Sequence, residues 1–223
     1  ALRRPLEQRL QLDPANGWQV TERLVYGESL GEAAKARNLR GQVYQHYDPS
    51  GLITNEWFDF KGNLLEVTRQ LASAHAASII HWPKNPPSSA FEREIFTQRT
   101  RCDALNRMTE LQNWHRAGTV PAVYEPQYNE RGILAGETLT VRGEAREAIR
   151  RIEYDAKGQR MLVVFGNDTD TRYDYDPVTF RLKQLRTTRP ISNLRFPEFH
   201  SDLKDDRVVQ QLNYTYDPAG NIT

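Results

Sequence analysis

Tyr154-Asp155-Ala156-Lys157-Gly158 and Tyr216-Asp217-Pro218-Ala219-Gly220 share one pattern: an aromatic residue, an aspartate, two spacers and a turn-former. The pattern recurs at Tyr47-Asp48-Pro49-Ser50-Gly51 and Phe58-Asp59-Phe60-Lys61-Gly62. Altered copies begin at Cys102-Asp103-Ala104-Leu105-Asn106, Tyr128-Asn129-Glu130-Arg131-Gly132 and Tyr175-Asp176-Pro177-Val178-Thr179. Self-similarity of this kind decides the fold, because each copy marks the same supersecondary unit. The second positions lie 11, 44, 26, 26, 21 and 41 residues apart. The two long gaps read as two units each, with one degenerate copy between.

The residue types explain why the copies are turns. An aspartate at the first turn position accepts hydrogen bonds from amides two residues on, and proline after it presets φ. Glycine, or Asn106, takes the left-handed conformation that closes such a turn. The flanking segments alternate apolar and polar residues. Val208, Gln210, Leu212, Tyr214 and Tyr216 form one face of a strand, and Val209, Gln211, Asn213, Thr215 and Asp217 the other. Ile152 and Tyr154 oppose Arg151, Glu153 and Asp155; Thr171, Tyr173 and Tyr175 oppose Arg172, Asp174 and Asp176. Period-two alternation marks half-buried strands, with tyrosine on the packing face and aspartate in the turn.

Composition agrees. Apolar residues make up 38% and mean hydropathy is −0.73, too little for a thick core, whereas 10% aromatic content argues against disorder. A sheet with one apolar and one wet face fits both figures. With 30 basic and 29 acidic residues interspersed, nothing suggests a nucleic-acid or anionic-membrane footprint. No apolar run is long enough to span a membrane. No signal peptide is visible, and both ends read as cut from a longer polypeptide.

Exit strands are expected over 52–58, 64–71, 133–141, 161–165 and 182–187, with an opposite-end turn at Gly166-Asn167. Residues 28–38 are rich in Ala, Glu and Lys and read as a short helix. The whole chain, 1–223, is expected to be one repeat segment. It divides into first hairpins with the helix (21–81), a Pro-rich crossover (82–100), central repeats (101–189), an insertion (190–206) and a last repeat (207–223).

The chemistry-bearing residues form no catalytic or metal constellation. His46, His75, His81, His115 and His200 include no pair at metal-binding spacing. The single cysteine, Cys102, sits in the aromatic slot of a repeat as a small buried filler, and no nucleophile elbow is present. Asp48, Asp59, Asp103, Asp155, Asp176 and Asp217 recur because turns demand them, not as glycosidase carboxylates. No turn carries enough carboxylates for calcium. The rival reading is an extracellular carbohydrate-binding or adhesion module, in which Trp18, Trp57, Trp82 and Trp114 stack on sugars; aromatics that pair across strands explain them as well.

The copies, together with Asn38-Leu-Arg-Gly-Gln-Val-Tyr-Gln-His-Tyr-Asp48, Arg101-Cys-Asp-Ala-Leu-Asn-Arg107 and Tyr216-Asp-Pro-Ala-Gly-Asn-Ile222, resemble the Rhs/YD-repeat family, including the B–C components of bacterial ABC (Tc) toxin complexes. The resemblance covers about residues 21–223. It implies an all-β fold, antiparallel hairpin repeats in a curved strip that is part of a hollow shell, to which the residues themselves add one short helix and two irregular insertions. It also implies a non-enzymatic role without cofactors, enclosing a C-terminal toxin or effector polypeptide. The implied partners are the remaining repeats of the parent protein and other toxin-complex subunits, in a secreted bacterial setting. The motif residues then build turns: Tyr47, Asp48, Gly51, Phe58, Asp59, Gly62, Asp103, Asn106, Tyr128, Gly132, Tyr154, Asp155, Gly158, Tyr175, Asp176, Tyr216, Asp217 and Gly220. Cys102, Asn129 and Thr179 depart from the motif and imply weakened turns. The family's autoproteolytic segment has no match, so no catalytic residue carries over.

Overall fold

Alternation becomes strands along the whole chain. The computed structural model describes residues 3–190 and 207–223. They divide into two compact units, one reaching Tyr124 and including Val141–Gly143, the other formed by Glu125–Thr140 and Glu144–Thr223. The first unit holds β1 (Glu7–Leu10), β2 (Gln19–Tyr26), β3 (Val43–Asp48), β4 (Gly51–Phe58), β5 (Leu64–Ala72), β6 (Phe91–Cys102) and β7 (Met108–Arg116). β8 (Val123–Tyr128) begins there and continues into the second unit. The second unit adds β9 (Leu134–Val141), β10 (Glu144–Tyr154), β11 (Arg160–Phe165), β12 (Asp170–Tyr175), β13 (Leu182–Thr188) and β14 (Val208–Asn213). Within each unit, every strand pairs with its neighbours in sequence. The pairing is antiparallel at each ladder resolved, for example β3–β4, β5–β6 and β12–β13. The all-β hairpin architecture expected from the repeats is therefore the architecture observed.

Chain-order pairing puts alternate turns on opposite rims. The copies at Asp59 and Asp103 close β4–β5 and β6–β7 and share one rim of the first unit. The copy at Asp48 closes β3–β4 on the other rim, which is why only 11 residues separate it from the next. Among the described residues the long gaps contain no degenerate copy. β5 pairs directly with β6, and β13 with β14. In the first of these gaps the extra residues lie in the opposite-rim connection between β5 and β6. The expected insertion at 190–206 falls, after Pro190, outside the described residues.

Other expectations need adjusting. β6 starts at Phe91, where its side chains resume the alternation that pairs Ala72 with Phe91 and Glu66 with Arg99, so the Pro-rich crossover ends ten residues before position 100. Over 28–38 the chain makes a 3-10 turn (Gly27–Leu30) and a single helical turn, α1 (Ala33–Ala36). Gly31 at φ +60 interrupts the run, and a helix this short gains too few hydrogen bonds to extend. The strand expected through Tyr216 stops at Asn213, leaving Tyr216 in an isolated bridge to Ile222.

The one-wet-face reading holds only in part. Successive strand residues point to opposite faces, yet Leu162 and Val163 are 8% and 2% exposed. Leu162 faces Glu153 and Arg172 across the ladders, long side chains whose aliphatic stems shield an apolar neighbour.

The first unit buries its core beneath the segment after β5, here called the strap (residues 73–90). Trp82, 1% exposed, lies in a cluster with Val20, Tyr47 and Ala72. Register places Arg23, Tyr47 and Leu52 on one face of β2–β4, and the Trp82 ring stacks on Phe91 at 5.5 Å and tilts against Tyr47 at 5.6 Å. Its polar groups are all engaged. The Trp82 backbone amide donates to Val20 O at 2.9 Å, the indole Nε1–H to Asp48 O at 2.9 Å, and the Trp82 carbonyl accepts from Arg23 at 3.1 Å. Val20 N–H in turn donates to His81 Nδ1 at 3.0 Å. Trp82→Ala should therefore destabilise the chain by about 3–5 kcal/mol, the range for deleting a buried large aromatic. Urea unfolding measures it; a loss below ~1 kcal/mol would mean that the strap does not hold the core.

Candidate functional site

The repeat residues build one turn geometry five times. At Asp59, Asp103, Asn129, Asp155 and Asp217 the backbone N–H donates to the carbonyl four residues on, at 2.9–3.0 Å. The residue three on returns a hydrogen bond to the first carbonyl, at 2.9–3.1 Å. The side-chain Oδ1 then accepts the amide four residues on: Asn63, Arg107, Ile133, Gln159 and Asn221, at 2.8–3.1 Å. In four of them it also accepts the amide two residues on, at 2.8–3.0 Å. Gly62, Asn106, Gly132, Gly158 and Gly220 all take positive φ. Asn129 does not weaken its turn, since an amide oxygen accepts the same two bonds at 3.0 and 3.1 Å.

Two copies differ. Asp48 pairs with Gly51, giving a two-residue loop in which Oδ1 accepts a single turn amide, that of Ser50, at 2.7 Å. Gly51 adopts φ +138, and a Cβ there would come within 2.2 Å of Gln70 O. The freed carboxylate takes a bidentate hydrogen bond from Arg69, at 2.8 and 2.7 Å. The Asp176 turn is one residue longer: its N–H donates to Arg181 O, and the left-handed position falls on Phe180, φ +60, not on Thr179. Thr179 serves the turn otherwise, donating its amide and hydroxyl to Asp176 Oδ1 at 2.7 and 3.0 Å.

Neighbouring turns are also fastened to each other. Lys61 donates to Ala104 O, and Asn63 Nδ2 to Asn106 Oδ1 at 3.0 Å. In the second unit Arg131 donates to Asp155 O and Ala156 O at 3.2 and 3.3 Å, Gln159 to Phe180 O at 2.8 Å, and Arg181 to Asp217 O at 3.1 Å. The repeat tyrosines add a second clasp: Tyr154 OH donates to Leu134 O at 2.7 Å and Tyr216 OH to Leu182 O at 2.8 Å, each the first strand residue after the preceding turn. The motif pattern did not point to these partners, because their carbonyls belong to residues 20 or more positions away. A polar residue at the fourth position after Asp59 and Asp155, Asn63 and Gln159, was the available signal.

The electrostatics follow from these bonds. The Asn63 amide holds the Asp59 carboxyl below its ordinary value of 3.8, and the Arg107 guanidinium does the same for Asp103. Amides of Thr179 and Asn221 act likewise on Asp176 and Asp217. Burial pushes the Asp48 carboxyl up, but Arg69 and the Ser50 amide outweigh it, so it too is lowered.

Among the described residues no three His, Cys, Asp or Glu side chains are placed to hold a metal ion. His46 lies 3.2 Å from Glu22 and His81 is bound to Val20 N–H, while His200 is outside the described residues. Burial, then the charges of Asp59 and Asp103, push the Cys102 thiol up, away from nucleophilic reactivity. Trp18, Trp57 and Trp114 are exposed, but Trp82 is in the core and cannot stack on a sugar.

No protein-family model matches the chain. Toxin subunit YenC2 of Yersinia entomophaga is 30% identical over 228 residues, covering 98% of this chain and 22% of the relative. Toxin subunit YenC1 of the same organism is 31% identical over 210 residues, covering 92% and 20%. The chain thus spans about a fifth of the length of the curated relatives it matches. Among solved structures it superposes on TcdB2–TccC3 with a TM-score of 0.78 at 29% identity, covering 97% of this chain and 10% of that one. The Photorhabdus luminescens Tc holotoxin pore gives 0.79 at 28%, covering 97% and 9%.

Asp155→Asn should leave the melting midpoint within about a degree, as Asn129 already shows the amide at work, whereas Asp155→Ala should lower it by about 2–4 °C, the loss of one cap-like contact. Equal midpoints for the two variants would remove the side-chain oxygen from the turn's energetics. Acid should also weaken the fold. Carboxyls more acidic folded than unfolded contribute in full above the ordinary value of 3.8 and lose that contribution as pH falls through the lower folded value. Melting midpoints should therefore hold from pH 7 to about 5 and fall steeply below about 4.

Proposed function

We propose, from the chain's homology to bacterial toxin-complex subunits of the Rhs/YD-repeat kind, that it is a non-catalytic wall segment of a repeat shell enclosing and protecting a C-terminal toxin or effector polypeptide. The observation that carries the reading is the pairing of strands in chain order within each unit, with turns in each unit clasped to one another. Such a strip is built to extend: each hairpin offers the next one a free edge and a set of rim carbonyls. Its work is steric. The partners in this reading are the other repeats of the parent polypeptide, the enclosed cargo and further toxin-complex subunits, in a secreted bacterial setting. The motif residues from Tyr47 to Gly220 serve the wall as turn builders.

The adhesion reading has less support, since Trp82, one of the four tryptophans it calls on, is spent on the core.

Among the described residues β1 and β14 each pair with one strand only, and unpaired edges recruit other strands. The isolated 223-residue chain is expected to sediment as oligomers. A clean monomer with a cooperative melt would count heavily against the wall reading. In the parent polypeptide, limited proteolysis should spare the C-terminal cargo until the hairpin β11–β12 is deleted; cargo cleaved at the same rate before and after deletion would sink enclosure.

A further inference from the structure

We propose that a groove in the first unit docks an extended peptide bearing a carboxylate next to apolar side chains. The groove has a volume of about 920 Å³ and lies between the Tyr47 face of β2–β3 and the strap at Lys84-Asn85-Pro86. This volume is within the roughly 300–1,000 Å³ usual for ligand sites. Its apolar lining comes from Leu6, Val25, Tyr47 and Pro86. Two ion pairs wall it: Arg23 with Glu7 at 2.5 Å, and Arg4 with Glu28 at 3.0 Å, the Arg4 guanidinium also lying over Tyr26.

Charge selects the occupant. Both carboxylates in the wall are already engaged, Glu7 by Arg9 and Arg23, and Glu28 by Arg4 and the Gly41 amide. Lys84, exposed on the strap, makes no hydrogen bond or ion pair among the described residues and leaves the lining with three cations against two carboxylates. One added negative charge balances the site. A phosphate-rich ligand is disfavoured, because the two guanidiniums are committed and a single lysine remains. A peptide with one carboxylate beside apolar side chains fits both the charge and the lining.

The proposal stands apart from the wall reading: an oligomeric chain that binds no peptide would sink this groove and leave the wall intact. The probe is fluorescein-labelled Leu-Val-Pro-Asp-amide, whose peptide carries one carboxylate, compared with labelled Leu-Val-Pro-Asn-amide, each titrated with the 223-residue chain and read by anisotropy. The acidic peptide should saturate and bind about threefold to fivefold more tightly than the amide, the size of one exposed charge pair. Lys84→Gln should remove that advantage and leave the amide unchanged, and Lys84→Glu should make the acidic peptide the weaker of the two. Equal binding of the peptides, indifference to both Lys84 variants, or absence of saturation each overturns the docking site.

Discussion

One side-chain oxygen accepting two backbone amides is the constraint on which the sheet depends. A hairpin has to reverse within four residues, and the amides inside that reversal point away from any strand partner. Oδ1 of Asp59, Asp103, Asn129 or Asp155 collects two of them at once. This fixes where the strand ends, and with it the register of the ladder that follows. Register matters because a slip by one residue carries every side chain to the other face. At Tyr47 such a slip would pull the ring from Trp82 and replace it with Asp48 or His46. The turn therefore governs the core, although it contributes no apolar surface of its own.

The strap shows the complementary solution. A sheet this poor in apolar residues cannot bury a thick core on its own. In the first unit it closes one by folding a single tryptophan back across the face, with each polar group of Trp82 satisfied by strand backbone or Arg23. Where no strap lies, burial comes from the aliphatic stems of charged residues, as around Leu162. Two different devices thus serve one shortage.

Much of this was legible in the sequence. The aspartates, the glycines and Asn106 announced the turns, because only a few residue types satisfy both a capping oxygen and a positive φ. Alternation gave most strands to within a residue. The rest depended on information that local pattern does not carry. Nothing near Trp82 announces that its partners are Tyr47 and Val20. The clasp from Arg181 to Asp217 O spans 36 residues. The 28–38 stretch has helical composition, but Gly31 and its short length leave one turn of helix. The spacing of the copies misled for a geometric reason: turns alternate between rims, so a gap of 11 is one strand and a gap of 44 is one hairpin with a long return.

The clasps between turns have a consequence for how such a chain can change over generations. Most of them end on a backbone carbonyl: Ala104, Asp155, Ala156, Phe180 and Asp217 receive them through groups that every residue has. A donor that needs only a carbonyl in the right place does not require a matched side chain on its neighbour. Hairpins can then be duplicated, lost or lengthened on the opposite rim without a compensating substitution on this one. The uneven distances between copies are what such permissiveness leaves behind: a lineage free to vary its loops while the rim stays stitched.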